Sequence, residues 1–200
     1  MTTPQVWESE EFQKCAEFHG HICPGLSLGF QAAKLALNTL AEKRAGDEEI
    51  VAIVETDACS ADAVQVLTGC TFGKGNFIYK DYGKMALTLL SRKTGSGVRV
   101  SMRPGAFAPD DRHFTLLRKI MNGQADEEDT RQFRALHLER SRAVLEMPPD
   151  KLFTVESTQI ELPAKAVIEP SAPCSRCGEP TMPSKLEPVD GGLICRGCLE

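Results

Sequence analysis

Four cysteines late in this sequence are spaced for a metal ion. Cys174-Ser-Arg-Cys177-Gly178 and Cys195-Arg-Gly-Cys198 are two CxxC pairs separated by 17 residues. Each CxxC turn aims two thiolates at one point, and two such turns complete the tetrahedron that zinc accepts. A module this short cannot bury an adequate apolar core. Metal binding, on the order of 10–16 kcal/mol in small finger peptides, would supply most of its folding energy. With all four ligands from protein, the expected site is a closed, structural zinc site. The alternative is two unrelated redox pairs.

A second group of metal-capable residues lies near the other end. Phe18-His-Gly-His-Ile-Cys-Pro-Gly25 carries His19, His21 and Cys23 at alternating positions. In an extended segment alternate side chains share a face, so all three can converge. Pro24 and Gly25 lead into a helix, whose positive N-terminal end favours a Cys23 thiolate. The alternative is a helix-entry loop whose histidines only cap and hydrogen-bond. Two of the chain's four histidines fall within this short stretch, which favours function.

Two further segments could complete a site. Glu55-Thr-Asp57-Ala-Cys59-Ser-Ala-Asp62 follows a strand-like run. Cys59 could join His19, His21 or Cys23 on a metal, and Asp62 could orient a histidine or accept a proton. Asp57 and Ser60 could instead cap a helix. Thr68-Gly-Cys70-Thr-Phe-Gly-Lys74-Gly-Asn76 is glycine-rich but lacks the spacing and the Ser/Thr of a phosphate loop. Its amides and Lys74 could hold an anion, or it is an ordinary hairpin turn. Cys15 reads as core. His113 and His137 lack ligand-spaced neighbours and read as structural.

These groups need elements to position them. Residues 8–18 and 26–44 read as helices, the second with Phe30, Ala33, Leu37 and Leu40 on one stripe and Gly46 as its stop. Trp7, Phe12, Cys15 and Phe18 are the apolar positions expected for the first. Residues 50–55 form a β-branched run, hence a strand, and 61–67 a short helix. Residues 76–80, 85–91 and 98–103 look like successive strands of an antiparallel meander. Helices return over 114–121 and 126–147, ended by Pro148-Pro149. Last strands are expected at 152–155 and 164–168. Eight of the 12 prolines lie from Pro148 onward. The expectation is an α+β core with an antiparallel or mixed sheet packed with helices over residues 1–165, and a four-cysteine zinc finger over 166–200.

Composition narrows the function classes. The chain has 200 residues, 42% of them apolar, which is enough for a real core. A net charge of −5 lacks the basic footprint of a nucleic-acid binder. The finger region has three Lys/Arg, four Asp/Glu and no base-stacking aromatic. The longest uncharged run, residues 18–33, is broken by histidines, proline and glycines and is no membrane span. Residues 1–11 show no basic and apolar export signal. A cytoplasmic protein that binds neither nucleic acid nor membrane is expected, its cysteines serving metal or thiol chemistry.

Two long motifs resemble a known family. Phe18-His-Gly-His-Ile-Cys-Pro-Gly-Leu26, with Gly29 and Ala32, resembles the signature of the FmdE family, which takes its name from formylmethanofuran dehydrogenase. Asp57 to Asn76 is similar to that family's second block, and the cysteine knuckles to the treble-clef finger of some members. The resemblance covers nearly the whole chain. It implies an α+β core with a groove, a zinc finger, a homodimer, and a link to one-carbon metabolism and to molybdenum or tungsten oxidoreductase subunits. His19, His21, Cys23, Cys59, Asp62, Cys70 and Lys74 match its motif positions. Only Leu199 and Glu200 follow Cys198, so the helix that usually starts at the second knuckle is expected to be missing or reduced to a turn.

Competing functions follow. One is a metal-dependent groove protein, an enzyme if its metal keeps an open position. His19, His21 and Cys59 would be its ligands, the second metal being zinc, with Cys23, Asp62, Cys70 and Lys74 as catalytic candidates. Another is an accessory or docking subunit, or a metal or thiol carrier, for an oxidoreductase. Thiol redox through Cys23, Cys59 and Cys70 would need two of these within disulfide reach.

Overall fold

A computed structural model describes residues 5–108 and 110–200. Residues 1–4, part of the segment read as lacking an export signal, lie outside it. The chain divides into two compact units, Met1–Lys165 and Ala166–Glu200. The larger is a five-stranded mixed sheet with six helices.

Helix α1 (Glu10–His19) is capped by Ser9, whose hydroxyl accepts from the Phe12 N–H. Phe12 and Cys15 are fully buried, whereas Phe18 is largely exposed, so it is not part of the apolar stripe. Helix α2 (Pro24–Leu40) begins two residues before its expected start, with Pro24 in the first turn and the Cys23 sulfur accepting from the Leu26 N–H. Proline suits that position because its missing N–H would have no helical partner. The helix ends at Ala41 in a left-handed conformation, short of the expected stop at Gly46. Phe30, Ala33 and Leu37 are buried as expected, and Leu26, Ala32 and Ala36 join them. A helix buried on so much of its surface is central to the core.

Strands β1 (Ile50–Val54) and β3 (Ala86–Ser91) are wholly buried. With β2 (Phe77–Tyr79), β4 (Gly97–Met102) and β5 (Phe153–Thr158) they form the order β2-β1-β3-β4-β5. The β3-β4-β5 part is antiparallel. The expected meander fails at β2, which pairs parallel to β1 on the far side from β3. The reason is helix α3 (Ser60–Thr68), which carries the chain across so that it returns in the same direction. No strand forms at 164–168. Beyond the sheet, α4 (Asp111–Met121) and α5 (Glu127–Glu146) form an antiparallel hairpin, pinned by Lys119 on Asp129 and by His113 on His137. One turn, α6 (Pro149–Leu152), leads into β5.

The tightest contact in the core joins α2 to α3. A Cβ built on Gly29 would lie 2.3 Å from the Ser60 carbonyl oxygen and 2.6 Å from its Cα. No side chain fits there, and glycine is what lets the two backbones touch.

The smaller unit consists of two short hairpins, β6 (Ala172–Pro173) with β7 (Pro180–Thr181) and β8 (Leu186–Val189) with β9 (Gly192–Cys195). A single 3₁₀ turn, Arg196–Cys198, stands at the second knuckle. Cys174, Leu186 and Ile194 make its small core. Among the described residues, no helix is long and apolar enough to cross a membrane.

Gly29→Ala is expected to destabilise the protein by about 1–3 kcal/mol or more, because backbone cannot move aside as a flexible side chain would. Denaturant unfolding of the two proteins measures it.

Candidate metal centre and pocket

The His–Cys segment is not extended. His19 ends α1, Gly20 caps it in the left-handed region at φ 88°, and Cys23 starts α2. The turn between two helices, not strand alternation, brings the three side chains together. One ligand atom from each of His19, His21 and Cys23 lies within 4.8 Å of the others. The rings of His19 and His21 are tilted against each other at 4.4 Å.

Helix α3 supplies the other half. Asp62 Oδ2 lies 2.7 Å from His19 Nδ1. An ionised carboxylate only accepts, so neutral His19 carries its proton on Nδ1 and turns a bare Nε2 toward the Cys23 sulfur, 3.7 Å away. That is the orienting pattern found behind metal-binding histidines. Cys59 precedes α3 but its side chain caps nothing, nor does Asp57 or Ser60. A Cβ on Gly25 would stand 3.1 Å from the Cys59 Cβ and 3.8 Å from the sulfurs of both Cys23 and Cys59. The two thiols are thus neighbours. Burial pushes the Cys23 thiol up to about 11, against the pull of the Leu26 N–H. At this cysteine desolvation outweighs the helix end that was expected to favour thiolate.

His21, Cys23 and Cys59 line a cavity of about 950 Å³. Phe107, Phe114 and Phe133 join them from the α4–α5 side, with His113, His137, Arg134 and Arg140. His113 Nε2 and His137 Nδ1 share one proton at 2.9 Å, and Phe133 stacks on the His113 ring. Burial holds His113 below the usual histidine range. Burial, helped by His113, His21 and Arg140, holds His137 at about 4. Spacing alone makes these two histidines look structural, and the structure puts both in the cavity wall. The available signal was on α5, where Phe133, His137 and Arg140 recur at helical spacing, but their pairing with α4 is tertiary.

Two expected site residues are elsewhere. Cys70 is fully buried, its Sγ 3.5 Å from the Ile50 carbonyl, and burial raises its pKa. Lys74 donates to the Asp47 carbonyl at 3.1 Å. Neither lines the cavity. Glu55, from the acidic stretch after β1, is held by a two-point pair with Arg99 at 2.8 and 3.0 Å.

In the smaller unit the ligand atoms of Cys174, Cys177, Cys195 and Cys198 lie within 4.8 Å of one another. All eight cysteines are free, and the Cys177 and Cys195 sulfurs are 3.9 Å apart. The backbone N–H groups of Cys177, Cys195 and Arg176 draw the Cys174 thiol down to about 6. The neighbouring thiols hold Cys198 up at about 12. Four sulfurs crowded together with amides aimed at them can accept a cation.

Residues 18–154 match the model of a family described as FmdE, molybdenum formylmethanofuran dehydrogenase operon. This chain belongs to that family. A protein of Archaeoglobus fulgidus, named as a probable S-adenosyl-L-methionine-binding protein, is 35% identical over 206 residues, which cover 98% of this chain and 54% of that protein. The chain therefore spans about half the length of that curated relative. The crystal structure of an FmdE-like protein of tungsten formylmethanofuran dehydrogenase, from Syntrophus aciditrophicus, has the same fold. Its TM-score is 0.62 at 24% identity, over 100% of this chain and 97% of that one.

The folded-state pKa of His137 lies below the roughly 6.5 of an unfolded histidine. Between the two values the unfolded chain binds more protons, so stability is full above about pH 6.5 and falls as pH drops toward 4. Discounted for partial exposure, the loss by pH 5 is about 1 kcal/mol. Unfolding of wild type and His137→Phe at pH 7.5 and pH 5 checks this, the variant showing the smaller difference.

Proposed function

We propose that this chain is a metal-dependent groove protein that binds, and acts on, a small molecule in its core cavity. The observation that carries the reading is the convergence of His19, His21 and Cys23 within 4.8 Å, with Asp62 behind His19, beside a large apolar cavity. Zinc is the metal proposed for the core, since two imidazoles and thiolates suit it. Cys59 is proposed as a further ligand because its sulfur neighbours that of Cys23. An ion held there supplies Lewis acidity.

The protein's own groups have distinct parts. Asp62 is a positioning residue that keeps His19 Nε2 unprotonated. The Leu26 N–H steadies the Cys23 sulfur. The apolar lining keeps water from the reacting end. Cys70 and Lys74 have no part in this reading, because the one is sealed in the core and the other is tied to a backbone carbonyl.

The finger is proposed as a structural zinc site over residues 166–200, attached to a core domain over 1–165. The family description supports a wider reading, a cytoplasmic homodimer serving oxidoreductase subunits of one-carbon metabolism. The Archaeoglobus fulgidus relative is named for adenosylmethionine. The cavity lining has no carboxylate to meet a sulfonium or ribose hydroxyls, so that ligand is not assigned to it.

Metal analysis of the full-length protein, purified without added metal, tests the proposal. Two ions per chain are expected, one lost in His21→Ala or Cys23→Ser and the other in the double variant Cys195→Ser/Cys198→Ser. A single ion that survives both core substitutions would sink the core site. Asp62→Asn should keep the fold and weaken core metal affinity by about 10- to 100-fold, read by chelator competition.

A further inference from the structure

The core cavity is charged with one sign only. Two arginines line it, and no aspartate or glutamate does. The arginines are not equivalent. Arg140 is already engaged, its guanidinium 4.3 Å over the Phe107 ring and its Nη2 donating to the Ala108 carbonyl at 2.8 Å. Its Nη1 also stands 4.0 Å from Asp110. Arg134 makes no hydrogen bond or ion pair with any described residue. It is exposed, and it lines both the cavity and the surface groove at the start of α5. That puts its guanidinium at the cavity mouth.

The two histidines add no competing charge near neutral pH, since burial keeps both deprotonated. Phe114 is half exposed and Phe133 half buried, and both are cavity-lining rings. The cavity is within the size range of small-molecule sites. A neutral polar ligand would waste the guanidinium, and a cationic one would be repelled by it.

We infer that the ligand of this cavity is an aryl-bearing organic acid. Its anionic group lies at Arg134, its apolar body against the phenylalanine rings, and its other end at the His21–Cys23–Cys59 wall. A planar guanidinium pairs with a carboxylate at two points, which fixes the ligand's orientation as well as its charge. The placement of the reacting end rests on the proposed core metal site. Recognition of the acid and the ring does not.

Calorimetric titration of the full-length protein with 3-phenylpropanoate and with 3-phenylpropanamide, its uncharged isostere, tests the inference. Metal content is measured on the same samples. Arg134→Gln is expected to weaken the acid roughly tenfold, between the worth of an exposed ion pair and a buried charged hydrogen bond. It should leave the amide and the metal content unchanged. Phe114→Ala should weaken acid and amide alike. Equal affinity for acid and amide, equal loss of both in Arg134→Gln, or no saturable binding by metal-loaded protein would each overturn it. Arg134-dependent acid binding to protein with an empty core site would uphold this inference and overturn the metal reading.

Discussion

The structure depends on a backbone-to-backbone contact between α2 and α3 at Gly29 and Ser60. Everything in the core site is arranged around it. The contact draws the start of α3 against the first turns of α2, and a second glycine, Gly25, leaves room for Cys59 to lie against the same helix. Cys59 then neighbours Cys23, and Asp62 reaches His19. A side chain at position 29 would hold the helices apart and separate the carboxylate from its histidine. Helix packing and site geometry are therefore one constraint.

Two sulfur environments in this chain show what surroundings do to a thiol. Cys23 has a helix N-terminus and an N–H bond to its sulfur, yet burial wins and the thiol is held protonated. Such a group gives up its proton when a cation replaces it, which ties metal binding to proton release. Cys174 sits where three amides point at its sulfur, and its thiol is drawn down. The amides there act before any metal does. The core is built to hide its sulfur beside an apolar cavity, the finger to crowd four sulfurs together.

The α4–α5 hairpin gives the cavity its character. Without it the His–Cys turn would be a surface feature. With it, three aromatic rings, a neutral histidine pair and two arginines close on the same space. Metal donors come from the two ends of short helices near the sheet, and recognition groups from a separate hairpin, so ligand selectivity can vary without disturbing the donors.

Much was legible from the sequence because it depends on local spacing. The CxxC pairs, the clustering of His19, His21 and Cys23, the apolar stripe of α2 and the β-branched run of β1 are short-range patterns, and FmdE membership rests on two contiguous motifs. Tertiary structure decided the rest. The parallel pairing of β2 with β1 follows from α3 crossing the sheet, which no strand pattern encodes. The exclusion of Cys70 and Lys74 from the cavity, and the entry of His113, His137 and Arg134, depend on which helix faces which. Spacing along a chain determines which side chains share an element. Which elements share a cavity is set by packing between residues far apart in sequence, and here a glycine narrow enough for two backbones to touch made that choice.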